Sequence, residues 1–286
     1  MPHAPGEMDD HPTGPPLGLL GRGLDRWGGL WNRIFRLVGG VSWLAHDVGV
    51  WIGRAITRKN VRFGRTALVT QLVRVGMRSV GIVMLVSACI GFILALQMEP
   101  PLADFGQADK IANIISVAVF RELGPLIAAI VLAGFAGASI AAEIGTMVVG
   151  EEIEALEAHA LNPVRFLVVP RVLATTISLV LLTVVGNLTA VAFGALMTVL
   201  FLGVPYQLYQ DNTLNQLQVS DFVTGLIKAA AFGLILSLIA CYNGLKVTGG
   251  AAGVGRATTN TVVQTVVAVI LADLLFTAAF YLVGWT

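Results

Sequence analysis

Charge, cysteine and histidine are all scarce in this sequence. Only 12% of its 286 residues are charged while 56% are hydrophobic, and a mean hydropathy of +0.81 excludes an ordinary water-soluble domain. The two cysteines, Cys89 and Cys241, both fall in apolar runs. That excludes a disulfide framework and marks them as small core residues. The four histidines form no His-Glu-x-x-His pair and none falls in an expected span. Gly-x-Ser-x-Gly is absent as well, so an intramembrane hydrolase has neither a metal set nor a nucleophile here. No catalytic residue and no metal ligand is expected. Gly249 to Arg256 (GGAAGVGR) lacks the Gly-Lys-Ser/Thr ending of a phosphate loop and follows no strand. Its glycines suit a tight turn instead. With no Walker motif, any nucleotide-driven step needs a separate chain.

What the sequence has is long apolar runs. Leu123 to Ala142 is twenty uncharged residues between Glu122 and Glu143, about the thickness of a bilayer's hydrocarbon core at ~1.5 Å per residue. Within it Ala133, Gly137, Ala141 and Gly145 recur every fourth residue, a small-residue stripe that admits a close helical neighbour. Ser79 to Gln97 makes an earlier span, and Pro100-Pro101 is expected to stop it, leaving a loop as far as Lys110. The fold class is therefore all-α integral membrane, with five spans at 79–97, 121–145, 172–202, 222–245 and 257–285.

Residues 1–23 read as a disordered tail, since the first sixteen (MPHAPGEMDDHPTGPP) have no hydrophobic region and no secretory signal. Residues 24–78 read as basic amphipathic helices in the membrane interface. One piece carries Trp27, Trp31 and Phe35 among Arg26, Arg33 and Arg36; a second runs from Val41 to Ile56 and includes His46-Asp47. Eleven of the eighteen Lys and Arg residues lie between Arg22 and Arg78. By the positive-inside rule the N-terminus is cytoplasmic and the C-terminus lies on the far side.

Three sets of residues stand out from this frame. Glu151, Glu152, Glu154 and Glu157 surround Ile153, Leu156 and Leu161, giving a short amphipathic helix over 151–161 outside the membrane, ended by Asn162-Pro163. Arg121 and Glu122 stand at the outer end of the second span. They either snorkel to fix helix depth or face a cavity where Arg121 meets a phosphate. Lys228 and Asp273 are ionisable residues inside apolar spans on antiparallel neighbours, and are expected to pair.

Several of these segments carry a resemblance. Arg121-Glu122-Leu123-Gly124-Pro125, Ala133-Gly134, Ala142-Glu143-Ile144-Gly145-Thr146-Met147, Glu151-Glu152-Ile153-Glu154-Ala155-Leu156, Asn162-Pro163 and Val169-Pro170-Arg171 match in order. Tyr242-Asn243-Gly244 and Gly253-Val254-Gly255-Arg256-Ala257-Thr258-Thr259 follow. Together they resemble the MlaE (YrbE) permease family of ABC transporters, whose members move lipids between membranes. The likeness runs from about residue 45 to the end and departs at Phe135, where some members carry a basic residue.

The resemblance implies a homodimeric permease of the bacterial inner membrane, with N-terminal elbow helices and the C-terminus in the periplasm. It binds no cofactor itself; ATP and magnesium sit on a cytoplasmic ATPase dimer, docked by a coupling helix that includes Glu151, Glu152, Ile153, Glu154 and Leu156. It also implies an MCE-type substrate-binding partner and phospholipid as cargo, with Leu94, Gln97, Leu102, Phe105, Arg121 and Glu122 along the lipid pathway. No nucleic acid is implied. A non-transporting scaffold or a passive channel subunit is the alternative that composition leaves open.

Overall fold

The computed structural model describes residues 19–57 and 65–285. Most of the expected tail and the basic stretch 58–64 lie outside them. The described residues up to Trp43 and those from Leu44 onward form two compact units. Among the described residues every regular element is helical. The first helix, α1 (Leu19–Thr57), is continuous where two interfacial pieces are expected, because no proline divides it and Gly39-Gly40 costs a helix only about 1 kcal/mol per residue. In the first unit the rings of Trp31 and Phe35 lie 5.9 Å apart, both exposed. In the second unit the guanidinium of Arg165 lies over the Trp51 ring, 5.4 Å from its centre.

Five helices of the second unit are long and apolar enough to cross a membrane: α2 (Thr66–Asp104), α3 (Ile111–Val149), α5 (Val164–Phe201), α7 (Val219–Leu245) and α8 (Gly250–Val283). Two short helices join them, α4 (Glu152–Ala158) and α6 (Tyr206–Gln216). Successive spans run in opposite directions. One end of the bundle therefore carries α4 and the α7–α8 turn, and the other carries α6 and the α2–α3 turn.

Alanine and glycine set the packing. Ala133 and Ala141 are fully buried, and a Cβ on Gly137 would touch Leu236 and Thr261. One on Gly145 would come within 2.8 Å of Val247. The stripe on α3 is thus covered by α7, α8 and the turn between them. Asn243 adds hydrogen bonds to Thr261 (3.0 Å) and Gln264 (2.8 Å), tying α7 to α8. The central core places Val83 of α2 and Leu132 of α3 against Leu179, Phe232 and Val269 of the other spans.

The structure corrects several boundaries. Helix α2 runs through Pro100 and Pro101 to Asp104. The carbonyls four residues earlier, on Leu96 and Gln97, lose their N–H partners, but both residues are exposed and can be solvated near the helix end. Helix α3 starts at Ile111 and passes through Arg121-Glu122 without a break; both side chains find internal partners. Asn162-Pro163 opens α5 rather than closing α4. Helix α4 ends at Ala158, Ala160 adopts φ 58°, and the Asn162 side chain accepts from the Arg165 N–H at 3.2 Å, capping the next helix. The glycine run contributes only its first two members to a turn, Gly249 and Gly250 at φ 83° and 65°, and the rest is helical. Cys241 is buried but Cys89 is exposed, because in a membrane protein the lipid-facing side of a helix is as apolar as the core.

Candidate transport site and coupling helix

The polar centre of the bundle is built around Lys228, which is fully buried on α7. Its ammonium donates to Glu122 on α3, to Asp273 of α8 at 2.9 Å and to the hydroxyl of Thr277 at 2.7 Å. Three donors meet three acceptors, which is full satisfaction for an ammonium. Gly225, one turn before Lys228, allows this. A Cβ there would collide with the Phe120 carbonyl, so only glycine brings α7 close enough to α3. Glu122 and Arg121 occupy a π-helical turn, Val119–Leu123, a feature that often accompanies functional positions.

Arg121 and Glu122 part company here. While Glu122 turns to Lys228, Arg121 lies 3.8 Å from Asp221 and donates to the Trp285 carbonyl at 3.3 Å. Asp221 also accepts from the Gln218 N–H at 3.1 Å, closing a capping box at the start of α7. Arg121, Glu122 and Leu102 line a cavity of about 480 Å³ at the α6 end, with Lys110, Asn113, Ile114 and Val117. Of the other expected pathway residues, Leu94 packs beside a buried cluster of Ala95, Ile111 and Ile115. Gln97 is exposed, and Phe105 is 79% exposed beyond the end of α2. The structure therefore gathers three of the six and leaves three away from the cavity.

Helix α6 straps the mouth of this end. Asn212 donates to the Asp109 carbonyl at 2.7 Å and the Tyr209 hydroxyl to the Val191 carbonyl at 3.4 Å. Burial pushes the Tyr209 phenol up to about 12, since the anion loses its hydration.

At the opposite end α4 presents its acids outward. Glu151, at φ 57°, precedes the helix; it, Glu152 and Glu154 are exposed, while Ile153 and Leu156 are half-buried. A second ionic cluster lies close by and escapes sequence reading. Glu143 receives Arg74 at 2.9 Å and Arg171 at 3.2 Å. The three residues sit on three different helices, and the only signal was that each charge borders an apolar run.

Five bilayer-length helices with charge drawn into internal pairs define an all-α integral membrane permease. The profile described as Permease MlaE matches residues 68–279, and the chain belongs to this MlaE permease family of ABC transporters. It is 38% identical over 214 residues to a probable ABC transporter permease protein of Rickettsia prowazekii, covering 75% of this chain and 83% of the relative. It is 33% identical over 241 residues to the chloroplastic protein TRIGALACTOSYLDIACYLGLYCEROL 1 of Arabidopsis thaliana, covering 84% and 69%. A probable ABC transporter permease protein of Synechocystis is 32% identical over 212 residues, covering 74% and 81%.

Proposed function

We propose that this chain is the permease subunit of a lipid transporter, with phospholipid as cargo. The observation that carries the reading is the cavity at the α6 end, where Arg121 stands among apolar walls. A guanidinium there gives a phosphate two-pronged donors while Leu102, Ile114 and Val117 accept the start of an acyl chain. The Arabidopsis relative is named for trigalactosyldiacylglycerol, a glycerolipid, which is consistent with such cargo.

The basic residues Arg74, Arg78, Arg165, Arg171, Lys246 and Arg256 gather toward the α4 end, which makes that end cytoplasmic. The protein then lies in the bacterial inner membrane with its C-terminus in the periplasm. Helix α4 docks on a separate ATPase dimer that holds ATP and magnesium. Its half-buried Ile153 and Leu156 give a short apolar stripe, and its carboxylates set register against basic groups. A second copy closes the pathway by two-fold symmetry, and an MCE-type protein receives or delivers lipid at the α6 end. ATP-driven movement of α4 tilts α3 and α5, which flank it, and so reshapes the cavity.

The test is transfer of a labelled phospholipid by the assembled complex in proteoliposomes. Arg121→Ala abolishes ATP-dependent transfer while the assembled complex is recovered in normal amount. Normal transfer by this variant overturns the assignment of the cavity.

A further inference from the structure

A second cavity, of about 200 Å³, opens between α2 and α3 toward the α4 end. Gln71, Arg74, Arg78, Ser139 and Glu143 supply its polar lining, and Phe135 and Ile140 its apolar wall. Two π-helical turns shape it. Arg74 stands on Val73–Met77 and Phe135 on Ala133–Gly137. Facing π turns re-aim side chains that a regular helix would direct elsewhere, and they recur where ligands bind.

The charges of the cluster do not balance. Glu143 is a single carboxylate already shared by Arg74 and Arg171. Arg78 lines the same cavity, and among the described residues no acidic side chain pairs with it. Three guanidinium groups against one carboxylate leave an excess of positive charge beside a membrane span, where such an excess calls for an anion.

Depth and size say which anion. Arg78 lies roughly 18 Å along α2, a helix of roughly 58 Å at ~1.5 Å per residue. The uncharged run 79–97 that follows it nearly fills a hydrocarbon core of ~30 Å, so Arg78 stands at the core's edge, from which its long side chain reaches the lipid phosphates. A volume of about 200 Å³ admits a phosphate group and a few waters at about 30 Å³ each, but not two acyl chains, which would lie outside along α2.

We propose that this cavity binds the phosphate of an anionic lipid headgroup from the leaflet at the α4 end. Arg74 and Arg78 are the charged donors, and Ser139 and Gln71 supply further polar contacts. The site is separate from the Arg121 cavity, which lies at the other end of the same helices. It does not depend on what that cavity carries.

The test uses the full-length chain, delipidated in detergent and titrated in native mass spectrometry with phosphatidylglycerol, phosphatidylcholine and inorganic phosphate. Wild type retains phosphatidylglycerol in preference to phosphatidylcholine. Arg78→Gln, a change at an exposed side chain, weakens that retention about tenfold, the loss expected for one charge-assisted hydrogen bond. The same weakening appears when Arg78→Gln is added to an Arg121→Gln chain, whose transport cavity no longer holds a headgroup, and this separates the two sites. Equal retention by Arg78→Gln and wild type overturns the proposal, as does equal binding of the two lipids. Displacement of phosphatidylglycerol by millimolar inorganic phosphate overturns the lipid assignment and gives the guanidinium pair to a soluble anion.

Discussion

Lys228 and Asp273, forty-five residues apart in the chain, meet across α7 and α8 at 2.9 Å. A lone lysine near the middle of a membrane helix costs about 3 kcal/mol on insertion scales, so the contact both offsets that cost and fixes the two helices in register. Glu122 on α3 completes the arrangement. Lys228→Met and Asp273→Asn each lower the thermal unfolding midpoint in detergent. The lysine change has the larger effect because it leaves Glu122 and Asp273 facing each other. The double variant loses less than the two singles summed; strict additivity would show that the pair is not coupled.

Gly225 makes the contact possible. Gly225→Ala forces α7 away from the Phe120 carbonyl and destabilises the protein by about 1–3 kcal/mol. Gly81→Ala is the control, since a Cβ there meets nothing within 4 Å. Comparable midpoints for the two variants would contradict the close crossing.

Glu143 holds Arg171, whose side chain is only 7% exposed, and Arg74, which is 42% exposed. Glu143→Gln leaves a buried guanidinium without its counter-ion, a loss on the order of 3 kcal/mol. Arg74→Gln costs clearly less, because Arg171 still neutralises the carboxylate. Denaturation of the two variants side by side checks the order.

Glu151 separates backbone shape from charge. Its φ of 57° costs a side chain roughly 1 kcal/mol that glycine avoids. Glu151→Gly therefore keeps the turn into α4, and with it the ATPase in a pull-down. Charge reversal at Glu151 and Glu152 together releases the ATPase. Retention by the reversed variant would leave α4 as a plain connector.

Five spans were legible because each is built on an apolar run about as long as the hydrocarbon core is thick, with at most one charged residue inside it, and the acidic helix because its apolar residues keep helical spacing. Helix ends were less so. Pro100-Pro101 and Arg121-Glu122 look like stops in one dimension and are absorbed in three, by exposed carbonyls in one case and by Asp221 and Lys228 in the other. Lys228 and Asp273 could be matched because each stands alone in an apolar run. The third member, Glu122, was hidden beside Arg121, its obvious neighbour in sequence. Glu143 with Arg74 and Arg171 was not legible at all, since nothing local says which of several border charges will meet.

The most direct test of the account is mass spectrometry of lipids that co-purify with the complex extracted in detergent, for wild type and for Arg121→Ala. A phospholipid present in fixed ratio to the wild-type chain and lost from the variant is the predicted result. The same lipid content in both, or none in either, would contradict the central claim that Arg121 holds the cargo.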